Sequence, residues 1–102
     1  MTTKLQDQVW EKLREIPKGR VTTYALLAEA VGNKKAVRAV ATAVGKNPNL
    51  IAVPCHRVIR SDGSVGKYVD GQVKKIKLLQ EEGVEVLNKK ISSDFVYKFD
   101  KN

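Results

Sequence analysis

The sequence predicts an α+β fold, mainly helical, with a winged helix-turn-helix-like core and a short β-hairpin. Three observations lead there. Apolar residues recur at helical spacing in four segments. Two of those segments are separated by a single glycine at a tight join. The β-favouring stretches are only two or three residues long, and one leads into an Asp-Gly turn. With 102 residues, no internal repeats and no low-complexity linker, the chain reads as one domain over residues 1–102. Such a chain buries about two thirds of its unfolded surface, enough for a modest core without metal or disulfide staples.

Each element has its own signal. Leu5, Val9, Leu13 and Ile16 repeat every three or four residues with Trp10 beside them, so residues 4–15 read as an amphipathic helix that Pro17-Lys18-Gly19 ends. Trp10 is read as a core anchor. Val21-Thr22-Thr23 is a short extended entry, and Thr23 can cap a helix that runs to about Val31 and stops at Gly32. Asn33 is expected to cap a third helix through Gly45, with Ala36, Val37, Val40, Ala43 and Val44 inward. Its outer face, Lys34, Arg38, Ala41, Thr42 and Gly45, is small apart from two basic residues, so its axis can approach a partner closely. Lys46-Asn47-Pro48-Asn49 is a turn leading into Leu50-Ile51-Ala52-Val53. Val58-Ile59 reads as a strand, and Asp62-Gly63 as the hairpin turn toward Val65-Gly66-Lys67-Tyr68. A last helix spans about Gly71–Glu82, with Val73, Ile76 and Leu79 inward and Lys74, Lys75 and Lys77 mostly outward. Beyond Gly83 the chain reads as short strands or an irregular extension.

Charge narrows the class of partner. The net charge is +8, and it is concentrated in the middle of the chain. Residues 18–77 carry twelve Lys or Arg against only Glu29, Asp62 and Asp70. Such segregation points to a polyanion, nucleic acid first, and hence to a DNA-binding domain. One cysteine cannot form an internal disulfide, and one cysteine with one histidine cannot build a zinc site without several carboxylates. No metal is expected. No apolar run approaches the roughly 20 residues that span a bilayer, and Met1–Asp7 lacks the apolar stretch of a signal peptide. The expected setting is a reducing one: cytoplasmic, associated with the nucleoid in a prokaryote or nuclear in a eukaryote.

The chemistry concentrates in Val53-Pro54-Cys55-His56-Arg57-Val58, where the lone cysteine adjoins the lone histidine. A thiol is a strong nucleophile only as thiolate, and an adjacent imidazole and cationic surroundings ease its ionisation. Pro54 holds Val53 extended and stiffens the approach to the sulfur. Taken alone, the dipeptide fits equally well a small buried hydrophobe beside a satisfied loop histidine. Glu82 adds a second signal, because a carboxylate in the last turn of a helix opposes the helix dipole, and such broken local rules gather at functional sites.

Several segments in order resemble the C-terminal, DNA-binding and active-site domain of the O6-alkylguanine-DNA alkyltransferase family. They are Ile16-Pro17-Lys18-Gly19-Arg20-Val21-Thr22-Thr23-Tyr24, Arg38-Ala39-Val40, Asn47-Pro48, Pro54-Cys55-His56-Arg57-Val58-Ile59, Gly66-Lys67-Tyr68 and Leu78-Leu79-Gln80-Glu81-Glu82-Gly83. The resemblance covers residues 5–85 and leaves the family's N-terminal domain, with its occasional zinc site, without a counterpart here. It implies a single-turnover methylated-DNA–protein-cysteine S-methyltransferase. Cys55 would take the alkyl group from guanine O6 and keep it. His56 would remove the thiol proton through a water, and Glu82 would orient His56. Arg38, on a helix entering the minor groove, would fill the gap left by the flipped nucleotide. Tyr24 would crowd the target phosphate and donate to the flipped base. Asn47 would hinge the helix-turn-helix to the active-site loop. The carbonyls of Val58 and Cys55 would accept from the guanine amino group, and Tyr68 would wall the pocket. Arg57 would brace the loop by a salt bridge. No cofactor is implied, because the thiol itself receives the group. The implied partner is double-stranded DNA containing O6-alkylguanine, bound by a monomer.

Departures from the family pattern matter too. Val69 stands where the family often has serine, whose backbone N–H can contact O6; valine keeps that N–H. Asp70 adds bulk and charge where the family is glycine-rich, which implies slow transfer of benzyl-type groups. Ala25 and Ala41 replace frequent glycines. Two rivals remain. Alkyltransferase-like proteins bind O6-alkylguanine and signal excision repair without transfer, but they usually carry tryptophan or alanine at the position of Cys55. A sequence-reading regulator would need more Asn, Gln and Arg on residues 34–45 than this face supplies. The charge distribution predicts DNA binding that is nearly independent of sequence and weakens steeply with salt. Fluorescence anisotropy of a duplex between 50 and 200 mM salt checks this, and a flat response contradicts it.

Overall fold

The computed structural model describes residues 3–49 and 52–99. Helix α1 (Lys4–Leu13) opens with a reciprocal cap: Thr3 accepts from the Gln6 amide while the Gln6 side chain accepts from the Thr3 amide. Its inner face buries Val9 and Leu13, and Ile16 follows them into the core. Strand β1 (Thr22–Thr23) leads directly into α2 (Tyr24–Ala30). Thr23 caps α2 as the sequence predicts, its hydroxyl accepting from Leu26 N at 3.1 Å. Helix α3 (Val37–Gly45) begins later than expected. Asn33 makes no side-chain cap; its carbonyl accepts from Ala36 N at 2.9 Å while its own N–H closes α2 on the Ala28 carbonyl. Residues 33–36 are therefore the turn of the helix-turn-helix, and Lys34 and Lys35 sit exposed on that turn rather than within α3.

α1, α2 and α3 pack together around Val9, Leu13, Leu27, Ala28, Val40, Ala43 and Val44. Trp10 anchors this contact as expected, its Nε1 donating to the Ala43 carbonyl at 2.9 Å. Cys55 and Val58 belong to the same cluster, so the cysteine-bearing loop is seated on the helical core. A second cluster, Val21, Ile59, Val65, Leu79, Val84 and Ile91, lies under α4 (Gln72–Glu81) and the C-terminal tail.

The β structure departs from the expected hairpin. Strand β2 (Val58–Ile59) pairs in parallel with β1, Thr22 opposite Val58 and Thr23 opposite Ile59. The Asp62-Gly63 turn does form: Gly63 N donates to Arg60 O, and the Asp62 carboxylate accepts from the Ser64 amide and hydroxyl. One rung crosses it, Arg60 N donating to Ser64 O at 3.0 Å, and beyond Ser64 the outgoing arm pairs with the tail, Val65 N donating to Lys89 O. Among the described residues a minimal antiparallel hairpin lies at Leu87–Lys90, where Asn88 (φ 52°) and Lys89 (φ 61°) take the left-handed conformation of a primed turn. The tail docks beside β1 through Val21 N to Phe95 O and Tyr97 N to Val21 O. Leu50 and Ile51, into which the Lys46–Asn49 turn is expected to lead, lie outside the described residues.

α4 is rotated from its expected orientation. Val73 is 84 % exposed, whereas Lys75 is completely buried. Leu79 faces inward as predicted, and Lys75, four residues earlier, shares its face. No helix among the described residues is long and apolar enough to cross a membrane.

Removing the α2 cap with Thr23→Ala should cost about 1 kcal/mol, read as a lower urea midpoint at unchanged slope. An unaltered midpoint would show that the cap contributes nothing.

Candidate active site

Cys55 is set by a chain of backbone constraints. α3 ends at Gly45, and Asn47 bridges from there to the loop: its Nδ2 donates to the Val53 carbonyl at 2.5 Å, and its Oδ1 accepts from Asn49 N at 3.0 Å. Cys55–Arg57 form a single 3₁₀ turn entered from Pro54, with Arg57 N donating to Pro54 O at 3.0 Å. β2 follows at once, so its pairing with β1 fixes the far end of the turn. The sulfur-bearing residue is 4 % exposed. Burial pushes its thiol up, while a hydrogen bond from Asn47 and the charge of Lys75 pull it down without overcoming the burial.

Behind the cysteine lies a polar cluster around Glu82. His56, fully buried, places Nε2 3.0 Å from Glu82 Oε2. Arg57 grips the same carboxylate with two bonds, Nε to Oε1 at 2.9 Å and Nη2 to Oε2 at 2.7 Å, and its Nη1 donates to the Ile16 carbonyl at 2.7 Å. Burial alone would raise the Glu82 carboxyl, but the Arg57 and His56 hydrogen bonds hold it below the usual carboxylate value. Burial lowers the His56 imidazole more strongly than Glu82 raises it, so the ring is neutral near pH 7. Facing an ionised carboxylate, Nε2 carries the proton and Nδ1 is left as the acceptor. That Nδ1 is buried with no hydrogen-bonding partner among the described residues. An orphan buried acceptor on the residue that follows a cysteine is a feature that calls for a partner, and a proton to accept is one such partner. Gly19, at φ +89°, approaches the Glu82 carbonyl so closely that a Cβ there would lie 3.3 Å from it. The Pro17-Lys18-Gly19 turn thus seats the end of α4.

In front of the cysteine is a cavity of about 780 Å³. It brings together Tyr24, Arg38, Cys55, Tyr68 and Val69 from the sequence reading. Arg60 and Lys67 also line it and were not foreseen; their signal was only the basic character of the segment. Tyr24 opens α2, half-buried, its hydroxyl held protonated by burial and by the nearby thiol. Tyr68 is likewise pushed up to about 12, first by burial. Both phenols therefore stand as donors at neutral pH. Arg38 is exposed in the first turn of α3, and the small residues Ala41 and Gly45 continue that rim. Val69 is 63 % exposed. Asn47, Val58, His56 and Glu82 stand behind the lining rather than in it. The Val58 carbonyl already accepts from Lys75 Nζ at 2.5 Å, and its second lone pair remains for another donor.

A helix-turn-helix unit with a basic rim and a roomy cavity lined by a buried cysteine has the form of a DNA-binding domain built around one thiol. Residues 4–84 match the family model described as 6-O-methylguanine DNA methyltransferase, DNA binding domain. The chain is 50 % identical over 80 residues to a probable methylated-DNA–protein-cysteine methyltransferase of Acanthamoeba polyphaga mimivirus, covering 78 % of this chain and 53 % of that protein. The Mycobacterium tuberculosis OGT structure in complex with DNA superposes with a TM-score of 0.78 at 41 % identity, over 80 % of this chain and 51 % of that one. Schizosaccharomyces pombe Atl1, solved with damaged DNA containing O6-carboxymethylguanine, gives 0.83 at 30 % identity, over 96 % of this chain and 99 % of that one. The chain belongs to the O6-methylguanine-DNA methyltransferase family. It spans about half the length, or less, of the curated relatives it matches.

The buried imidazole sets an acid limit. Its folded value lies below the usual 6.5, so the unfolded chain takes up this proton first as the pH falls. Stability is complete above pH 6.5 and is lost below it, toward the depressed folded value. Glu82, held below 4.5, adds a later loss in the same direction. Urea titrations should show the unfolding free energy falling between pH 7 and pH 5, and His56→Phe should flatten that slope. Equal slopes in both proteins would contradict a neutral buried His56.

Proposed function

We propose that this protein repairs DNA by moving an alkyl group, methyl first, from guanine O6 to Cys55 in one irreversible turnover. The observation that carries the reading is His56, with Nε2 tied to the Glu82 carboxylate and Nδ1 buried without a partner among the described residues, adjoining in sequence the cysteine that lines the cavity. In this reading the thiol proton passes through a water to His56 Nδ1. The thiolate attacks the alkyl carbon, an S–C bond forms, and the C–O6 bond breaks with its electron pair remaining on guanine. The base regains a proton from the relay, and the cysteine stays alkylated. Burial, which raises the resting thiol, keeps it unreactive until this relay is engaged.

The remaining residues find roles consistent with their positions. Arg38, projecting from the small-faced α3, fills the stack when the base is extruded, an exchange that offsets an unstacking cost of a few kcal/mol. Tyr24 donates its hydroxyl to the extruded base, Tyr68 packs along it, and the Val69 amide reaches O6. The carbonyls of Cys55 and Val58 take the guanine amino group, and Asn47 couples α3 to the loop. Lys34 and Lys35 on the turn, with Arg60 and Lys67 on the rim, meet phosphates. The partner is double-stranded DNA holding O6-alkylguanine, bound by a monomer acting as a single domain, wherever that DNA is kept. No cofactor enters the balance.

A second reading has one observation behind it: Atl1, whose length this chain matches almost completely. A protein of that kind would grip the lesion and transfer nothing. Cys55 with its intact relay favours transfer. After incubation with an O6-methylguanine duplex, mass spectrometry should find the peptide containing Cys55 heavier by one methylene, and Cys55→Ala should bind the duplex but gain nothing. Unmodified protein on fully bound lesion would establish the sensor instead.

A further inference from the structure

Lys75 is the largest fully buried side chain among the described residues, and the mechanism above makes no use of it. An ammonium taken out of water is costly unless its hydrogens and its charge are both answered. Two of its hydrogens are answered by backbone: Nζ donates to Val58 O at 2.5 Å and to Lys67 O at 3.1 Å. These carbonyls belong to the two segments that frame the cavity, one leaving the Cys55 turn and the other entering Tyr68. Gly66, at φ +78°, makes the backbone turn beside Nζ that brings the Lys67 carbonyl to it. The charge has no carboxylate within ion-pair distance among the described residues. Val58, one of the two residues it grips, closes the turn that carries Cys55, so the thiolate of Cys55 is an anion whose charge acts on it.

We infer that Lys75 is a positioning residue for the transfer reaction, clamping the two cavity walls through Val58 and Lys67 and holding a buried positive charge that favours the Cys55 thiolate. This deepens the reading of Cys55 as the reacting group and rests on it. Two neutral donors could have joined the same carbonyls at lower desolvation cost. The choice of a cation acquires a reason once a negative sulfur has to appear next to it. Burial lowers the ammonium to about 8, with the thiol opposing and Arg60 reinforcing that shift. The lysine is therefore mostly charged at neutral pH and loses its influence in alkaline solution. His56, Arg60 and Asp70, with the phenols of Tyr24 and Tyr68, are the other charged or titratable groups acting on this pair.

The test needs no damaged DNA, so it fails or succeeds independently of alkyl transfer. Wild type and Lys75→Met are treated with iodoacetamide across pH 6.5–10, and labelling of the Cys55 peptide is followed by mass spectrometry. The other five groups are present in both proteins and cancel in the ratio of rates. The variant should react about tenfold more slowly at pH 7, one pKa unit's worth of thiolate, and the deficit should close above pH 9 as the wild-type lysine deprotonates. A ratio that does not change with pH reduces Lys75 to a packing role and overturns the inference. Should Lys75→Met not fold, the reciprocal effect decides: the Lys75 titration followed by NMR should move down in Cys55→Ser, which cannot form the thiolate. Coincident lysine titrations in wild type and Cys55→Ser would overturn it equally.

Discussion

The site depends on one carboxylate. Glu82 closes α4 and receives three hydrogen bonds, two from Arg57 and one from His56. Through Arg57 it reaches the Ile16 carbonyl, and through the backbone it abuts Gly19. Three segments distant in sequence therefore converge on this residue: residues 16–19, the cysteine-bearing loop and α4. An unpaired carboxylate there would be expensive, and breaking such a pair typically costs about 3–5 kcal/mol. The same interaction decides the chemistry. It fixes the proton on His56 Nε2 and leaves Nδ1 as a buried acceptor without a partner among the described residues.

A buried cation complements this carboxylate at the other end of the Cys55 turn. Glu82 holds the His56 end of the turn, and Lys75, two helical turns earlier on α4, holds Val58 at the other. One helix thus delivers both the anion tied to His56 and the cation tied to Val58. The helix-turn-helix and the β1–β2 pair bring α4 to the loop, and α3 presents Arg38 at the rim of the cavity. Fold and reaction share these contacts, so the core cluster that stabilises α1–α3 also includes Cys55.

Much of this was legible because the determining signals are local. Thr23 as a cap and the helical period of Leu5 to Leu13 follow from residue type and spacing, and the pairing of His56 with Glu82 from the family resemblance those residues carry; the salt bridge expected of Arg57 has no named partner in the sequence, and the structure supplies Glu82. The errors occurred where long-range packing overrides local preference. Asn33 looks like a cap, yet the chain needs its backbone to turn between two helices. The Asp62-Gly63 turn forms, but its outgoing arm finds the tail near Lys89, a partner that spacing does not reveal. Lys75 was assigned to solvent because lysine is counted as polar in any periodicity. Two carbonyls and a thiol, all supplied by other segments, make its burial possible, and Val73 is turned outward as a consequence.

The account stands on the protonation state that Glu82 imposes. Nitrogen-15 NMR of the single histidine reads it directly in the DNA-free protein. The predicted spectrum at pH 7 is a neutral ring protonated on Nε2 with an unprotonated Nδ1. An imidazolium, or a ring carrying its proton on Nδ1, would leave the cysteine without a base and contradict the account.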